Sequence, residues 1–307
     1  MATIERFFFQ PLRFRGLFVM RAAFGLIAIF YYLRLLPYVQ VFFGPAGVNG
    51  HDTARRWPGF PMAVTENLEH FALLLRVADP SVVWLLYGLL LMAALLFTLG
   101  LFTRVAGVLL AVLHAIFASH QPSISGGWVK LYPLLVLYLT LAPSGAAWSL
   151  DAWRKRRRDP THRPSSVFSP WALRLLQVHV IAMYATAGWP RLVNQAWLRG
   201  ETVFHAAADT RYGRWDLNWH TLHPLLSLCT YCALVLEPAA TLLLPWRVTR
   251  RWCALALIAL HLGIEVIADV GMWGFMMTAA VWAFLPDDWF RRVPGLQDDH
   301  FSDDAAH

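Results

Sequence analysis

The sequence predicts an all-α protein, a polytopic integral membrane helical bundle of about eight transmembrane helices with both termini in the cytoplasm. Three observations predict it. Of the 307 residues, 58% are hydrophobic and only 15% charged, where soluble domains carry roughly 25% charge. Apolar stretches occupy much of the chain from Leu17 to Leu285, and about 17 to 25 apolar residues cross a bilayer as a helix. The basic residues fall in short clusters between these stretches, which is the pattern that orients membrane proteins.

The expected spans are Leu17–Val39, Ser81–Leu99, Arg104–His120, Trp128–Ala142, Pro170–Gly188, Leu222–Pro245, Trp252–Ala268 and Gly271–Leu285. Arg13, Arg15 and Arg21 lead into the first as in a signal peptide. No small-residue cleavage site follows, and the run continues through Tyr31, Tyr32 and Arg34 to Pro37, so it is read as an uncleaved span. Asp269 divides Trp252–Leu285, a region barely long enough for two crossings. A single tilted span there would move the C-terminus outside.

With the N-terminus inside, the cytoplasmic side receives Arg6, Arg13, Arg15, Arg104, the run Arg154–Arg158, Arg163, Arg247, Arg250, Arg251, Arg291 and Arg292. Fewer basic residues fall outside: Arg55, Arg56, Arg76, Arg191, Arg199, Arg211 and Arg214. Residues 1–16 are then a cytoplasmic segment, 17–290 the membrane domain, and 291–307 an acidic tail expected to be disordered. The bilayer is the implied partner, and the cytoplasmic membrane the implied location in a bacterium. Although the net charge is +7, no continuous basic stripe exists, which argues against nucleic acid.

Two outer segments are longer than connectors need. Residues 40–80 carry turn chemistry in Gly44-Pro45-Ala46-Gly47 and Trp57-Pro58-Gly59-Phe60-Pro61, then an expected amphipathic helix from Glu66 to Val77. Residues 189–223 interleave Trp189, Trp197, Trp215 and Trp219 with Arg191, Arg199, Arg211 and Arg214. Such indole and guanidinium groups serve either as interfacial anchors or as an external binding face.

The order of short motifs resembles the HTTM domain, the horizontally transferred transmembrane family that includes vitamin K-dependent γ-glutamyl carboxylase. The matching residues begin with Phe43-Gly44-Pro45-Ala46-Gly47 and Leu101-Phe102-Thr103-Arg104, then His114 ahead of Ile124-Ser125-Gly126-Gly127. Ala142-Pro143-Ser144-Gly145 and Ser149-Leu150-Asp151 follow, then Leu176-Gln177-Val178-His179, Tyr184 and Gly188-Trp189-Pro190-Arg191-Leu192. Trp197-Leu198-Arg199-Gly200, His261 and Phe284-Leu285-Pro286 complete the series.

The resemblance implies chemistry on the non-cytoplasmic side, with a reduced vitamin K or related quinone as cofactor and a quinone or peptide as substrate. In the carboxylase, oxygenation of the reduced vitamin yields a base strong enough to remove a γ-proton from glutamate before carbon dioxide adds. The family pattern at Gly188–Leu192 looks like Gly-x-x-Lys-Leu, whereas this chain has Arg191, which holds an anion well and is a poor base. Where many relatives look like Asn-Gly-Gly-Asp, this chain places Trp128 after Gly127.

The candidate catalytic residues are Arg191, Lys130, His261 and Glu265. Lys130 either supplies the amine that Arg191 lacks or snorkels to the interface. His261 and Glu265 lie four residues apart on one helical face, where a carboxylate can orient an imidazole. His114, His179 and Trp128 are the candidate cofactor-binding residues, with packing as the alternative for each. No short ligand motif supports a metal site.

Glu237, before Pro238, needs a partner, expected to be Arg34, Arg174 or a histidine. Cys229 and Cys232 are read as packing residues, although membrane thiol oxidoreductases also use such a pair. These readings leave two functions open: an enzyme at the outer face, and a catalytically silent protein that binds a lipid or a partner.

Overall fold

The computed structural model describes residues 2–48, 74, 77, 79–120, 127–210, 212–298 and 301. The Trp57–Pro61 turn, nearly all of the expected Glu66–Val77 helix and Ile124–Gly126 lie outside these residues, as do Arg55, Arg56, Arg76 and Arg211. The principal helices are α1 (Ala2–Phe9), α2 (Gly16–Leu35), α3 (Pro80–Leu99), α4 (Thr103–His120), α5 (Gly127–Leu141), α6 (Leu150–Arg158), α7 (Trp171–Gly188), α8 (Thr202–Ala208), α9 (His223–Leu243), α10 (Arg247–Ile267) and α11 (Trp273–Val281). A helix therefore stands over each of the eight apolar segments.

Among the described residues, four helical stretches are long and apolar enough to cross a bilayer: Gly16–Phe43, Pro80–Leu99, Thr103–His120 and His223–Leu243. Gly127–Leu141 and Trp273–Phe284 are shorter apolar helices. α7 has length but carries Arg174, Gln177 and His179, and α10 opens on Arg247, Arg250 and Arg251 and carries His261 and Glu265. Their polar content lowers their hydropathy. α10 and α11 form a helical pair, not one tilted rod, with a break at Ala268–Met272 and the Gly274 N–H donating back to Glu265 Oε1 at 2.8 Å.

The chain divides into two compact units, one of Met1–Leu12 with Ser169–Val293 and the other of Arg13–Phe168 with Pro294–His307. In the second, α2 packs on α3, α3 on α4 and α4 on α5. Small residues permit close approach, as expected where lipid removes the hydrophobic drive for helix association. A Cβ on Gly25 would stand 2.8 Å from the Thr98 backbone nitrogen, so α2 and α3 nearly touch there.

The short motifs of this unit converge on one end of its helices. Asp151 accepts from Phe102 N, Thr103 N and Thr103 Oγ1, each at 3.0 Å, and so caps the start of α4. Ser149 caps α6 through Ala152 N at 3.0 Å and donates to Gly145 O at 2.7 Å. Arg21, 1% exposed, donates to Phe97 O at 3.1 Å and Trp148 O at 2.7 Å. Charge-assisted bonds to a last-turn carbonyl of α3 and to the Trp148 carbonyl before α6 offset the desolvation of this guanidinium. Gly100 closes α3 at φ +68°, and a Cβ there would strike Arg21.

The aromatic core of this unit surrounds His114, which is 0% exposed. Its Nε2 lies 3.1 Å from Val129 O, so that nitrogen carries the proton, and Nδ1 accepts from Tyr32 Oη at 3.0 Å. Trp128 and Tyr132 pack on the imidazole with ring centroids 5.3 and 4.6 Å away. The described part of the acidic tail is folded onto the same unit. Asp298 pairs with Arg15, Phe301 stacks on Phe18, and Leu296 is buried.

Candidate functional site

The unit containing Ser169–Val293 concentrates ionisable groups where α7, α9 and α10 meet. α7 brings Tyr184, which is buried, and ends at Gly188. A Cβ on Gly188 would lie 2.8 Å from Pro238 N and 3.1 Å from the Glu237 carbonyl carbon, so the chain leaves α7 in contact with the backbone of α9. Glycine permits that approach, and Pro238 contributes no N–H to obstruct it.

A 3-10 turn over Trp189–Val193 follows and carries Arg191 back toward α9. There Arg191 pairs with Glu237, whose side chain is 6% exposed. Asn194 caps the next short helix through Ala196 N at 3.1 Å, and this helix sets Trp197 beneath the Arg191 guanidinium, 4.2 Å from its ring centroid. The expectation that Glu237 is paired holds, but the partner is Arg191, not Arg34, Arg174 or a histidine. A carboxylate 46 residues away in sequence leaves no spacing signal, and from sequence Arg191 is expected to hold a substrate anion, not Glu237.

Tyr184 Oη lies 2.7 Å from His261 Nε2. The other ring nitrogen, Nδ1, is buried and has no hydrogen-bond partner among the described residues. A neutral imidazole has one N–H and one lone pair, so Nδ1 presents an unmet donor or an unmet acceptor in either tautomer. Arg191 lies within electrostatic reach of both Tyr184 and His261, and Glu237 within reach of Tyr184.

Glu265 shares a helical face with His261 but does not bond to it. It accepts from Gly274 N at 2.8 Å and from Arg214 at 3.4 Å. The segment that brings Arg214 is stitched to the end of α10 by an antiparallel bridge between Gly213 and Ala268 and by Trp215 Nε1 donating to Val266 O at 2.6 Å. Tyr184 is therefore the partner of His261 that sequence spacing did not identify, since the two residues are 77 positions apart. His179 is half-buried in α7 of this unit, while Lys130, exposed on α5, belongs to the other unit together with His114 and Trp128.

A model of the HTTM domain matches residues 62–289. The chain belongs to the HTTM family. No solved structure matches it. Membership in this HTTM family, together with the apolar helices, makes the chain a helical integral membrane protein. It also gives the motifs of both units a common origin, because Leu101–Arg104, Ser149–Asp151, Gly188–Leu192 and His261 all fall inside the matched span. One unit thus holds a buried Tyr184–His261 pair, a guanidinium held by Glu237 and Trp197, and Glu265 in contact with Arg214. Among the described residues, no cluster of three or more His, Cys, Asp or Glu could hold a metal ion.

Proposed function

We propose that this HTTM protein is a membrane enzyme that crosses the bilayer eight times with both termini in the cytoplasm, in the inner membrane if the source is bacterial. It acts at the non-cytoplasmic face on a lipid-soluble or peptide substrate. The observation that carries the reading is the 2.7 Å contact between Tyr184 Oη and His261 Nε2 with Nδ1 left unmet. A buried polar atom without a partner costs about 1 to 3 kcal/mol, a cost that a substrate oxygen or acidic proton at Nδ1 removes. The imidazole then takes a proton from the substrate, or gives one to it, at Nδ1, and the opposite charge stays on the substrate beside it, so no net charge is added to the membrane.

Arg191 holds an anionic group of the substrate, in exchange for part of its contact with Glu237. It is not the base. Deprotonating a reduced quinone calls for an amine that can be neutral, and a guanidinium paired to a carboxylate stays charged. The residues at this position therefore do not fit reduced vitamin K as the group whose deprotonation starts the reaction. His114, with both ring nitrogens already bonded and its indole neighbour Trp128 buried, is better suited to holding its unit together.

Reduced vitamin K, labelled bicarbonate and a glutamate peptide test the assignment of Arg191 directly. Native protein is expected to fix no label, and label fixed by native protein would sink that assignment. The second reading, a silent protein that binds a lipid or a partner, is favoured by the contacts that already hold Arg191 between Glu237 and Trp197. Ligand binding without conversion, unchanged in folded Tyr184→Phe and His261→Gln proteins, would decide for it.

A further inference from the structure

We propose that α6 is a binding site for anionic phospholipid headgroups at the membrane surface. The sequence of this helix, Leu-Asp-Ala-Trp-Arg-Lys-Arg-Arg-Arg, ends in five consecutive basic residues, Arg154 to Arg158, and four of them are exposed. Among the described residues, none of the five forms an ion pair. The two nearby acids are occupied with backbone. Asp151 caps α4, and Asp159 accepts from the Thr161 N–H at 3.0 Å and from its hydroxyl, bonds that hold its carboxyl below the usual range.

The position of the helix adds a second, independent observation. α3 and α4 are two of the four stretches able to cross a bilayer, and the turn joining them must lie where they leave the hydrocarbon. α6 is bonded to that turn, through Asp151 N to Gly100 O at 3.0 Å and through the Asp151 carboxylate to Phe102 and Thr103. Its cations therefore sit at headgroup level.

Third, the turn and the start of α6 expose large apolar residues beside those cations. Phe102 and Trp148 both adopt φ 48°, a left-handed conformation costly for aromatic residues, and yet the two residues are 58% and 41% exposed. Trp153 is 52% exposed. Arg157 stacks on Trp153 at 4.7 Å and Arg154 on Phe102 at 5.4 Å. Apolar rings that dip toward the acyl chains, under guanidinium groups able to bind phosphate, match an anionic lipid and not a soluble phosphate.

The test is native mass spectrometry of the detergent-purified, delipidated full chain, titrated with phosphatidylglycerol or phosphatidylcholine. Its variant carries Arg154→Gln, Lys155→Gln, Arg157→Gln and Arg158→Gln. Each basic side chain near an anionic surface contributes about a fivefold gain, so the variant is expected to lose phosphatidylglycerol affinity on the order of a hundredfold or more. Phosphatidylcholine binding is expected to stay as it was. Should the variant fail to fold, native protein alone suffices, because its phosphatidylglycerol occupancy must fall as salt rises. Equal binding of the two lipids, a variant as avid as native protein, salt-insensitive occupancy, or tighter capture of inorganic phosphate or an oligonucleotide would each overturn the proposal.

Discussion

Arg191 and Glu237 show how far a single residue's chemistry can be read from sequence. Arg191 stood out because guanidinium replaces the amine expected by resemblance, and Glu237 because an acid in an apolar stretch needs a partner. That the two residues are partners was not legible, since the pairing depends on the Gly188 turn lying against α9. Removing one member of a buried pair strands the other. Glu237→Ala is therefore expected to destabilise the protein by about 3 kcal/mol or more, and Arg191→Met with Glu237→Met is expected to recover much of that loss. A double-mutant cycle on thermal unfolding in detergent checks this, and additive losses would show that the ion pair carries no coupling. Tyr184→Phe removes the hydrogen bond to His261, an expected cost of about 1 kcal/mol, with a far larger loss of any catalysed turnover.

At the scale of the element, the helices were the most legible part. Each of the eight apolar segments is a helix, with ends displaced by a few residues where glycine and proline act as expected. α7 and α10 are the instructive cases, because their polar residues blur the apolar signal and are the ones gathered into the site. Gly188→Ala tests the turn that delivers Arg191. The added methyl meets backbone at 2.8 and 3.1 Å, which cannot give as a side chain would. A loss of about 1 to 3 kcal/mol is expected, whereas an unchanged melting temperature would show that α7 and α9 are less close. The motif residues 101–104 and 149–151, which carried only a resemblance in sequence, turn out to cap and close the same helix ends. Asp151→Ala is expected to cost about 1 to 2 kcal/mol through the lost cap of α4, measurable as earlier thermal unfolding, with Asp151→Asn milder because its side-chain oxygen still accepts.

For the whole molecule, charge distribution predicts an orientation, and the positive cluster on α6 is the main reason for it. A cysteine introduced at Lys155 should react with an impermeant thiol reagent only after cells are permeabilised, while one introduced at Asn218 should react in intact cells. The opposite pattern would invert the topology and place the Tyr184–His261 pair nearer the cytoplasmic side. The division into two compact units had no signature in composition, because both units are built from the same apolar helices. Lys130, His114 and Trp128 belong to one unit, and Arg191, His179, His261 and Glu265 to the other.

On the proposed function, the Tyr184–His261 pair performs chemistry on a membrane-accessible substrate. Membranes from cells expressing native protein or His261→Gln, matched for folded protein, should be compared by mass spectrometry of their lipids, quinones and outward-facing peptides. A product present with native protein and absent with His261→Gln is the expected result. Identical profiles would contradict the claim and leave a protein that binds without converting.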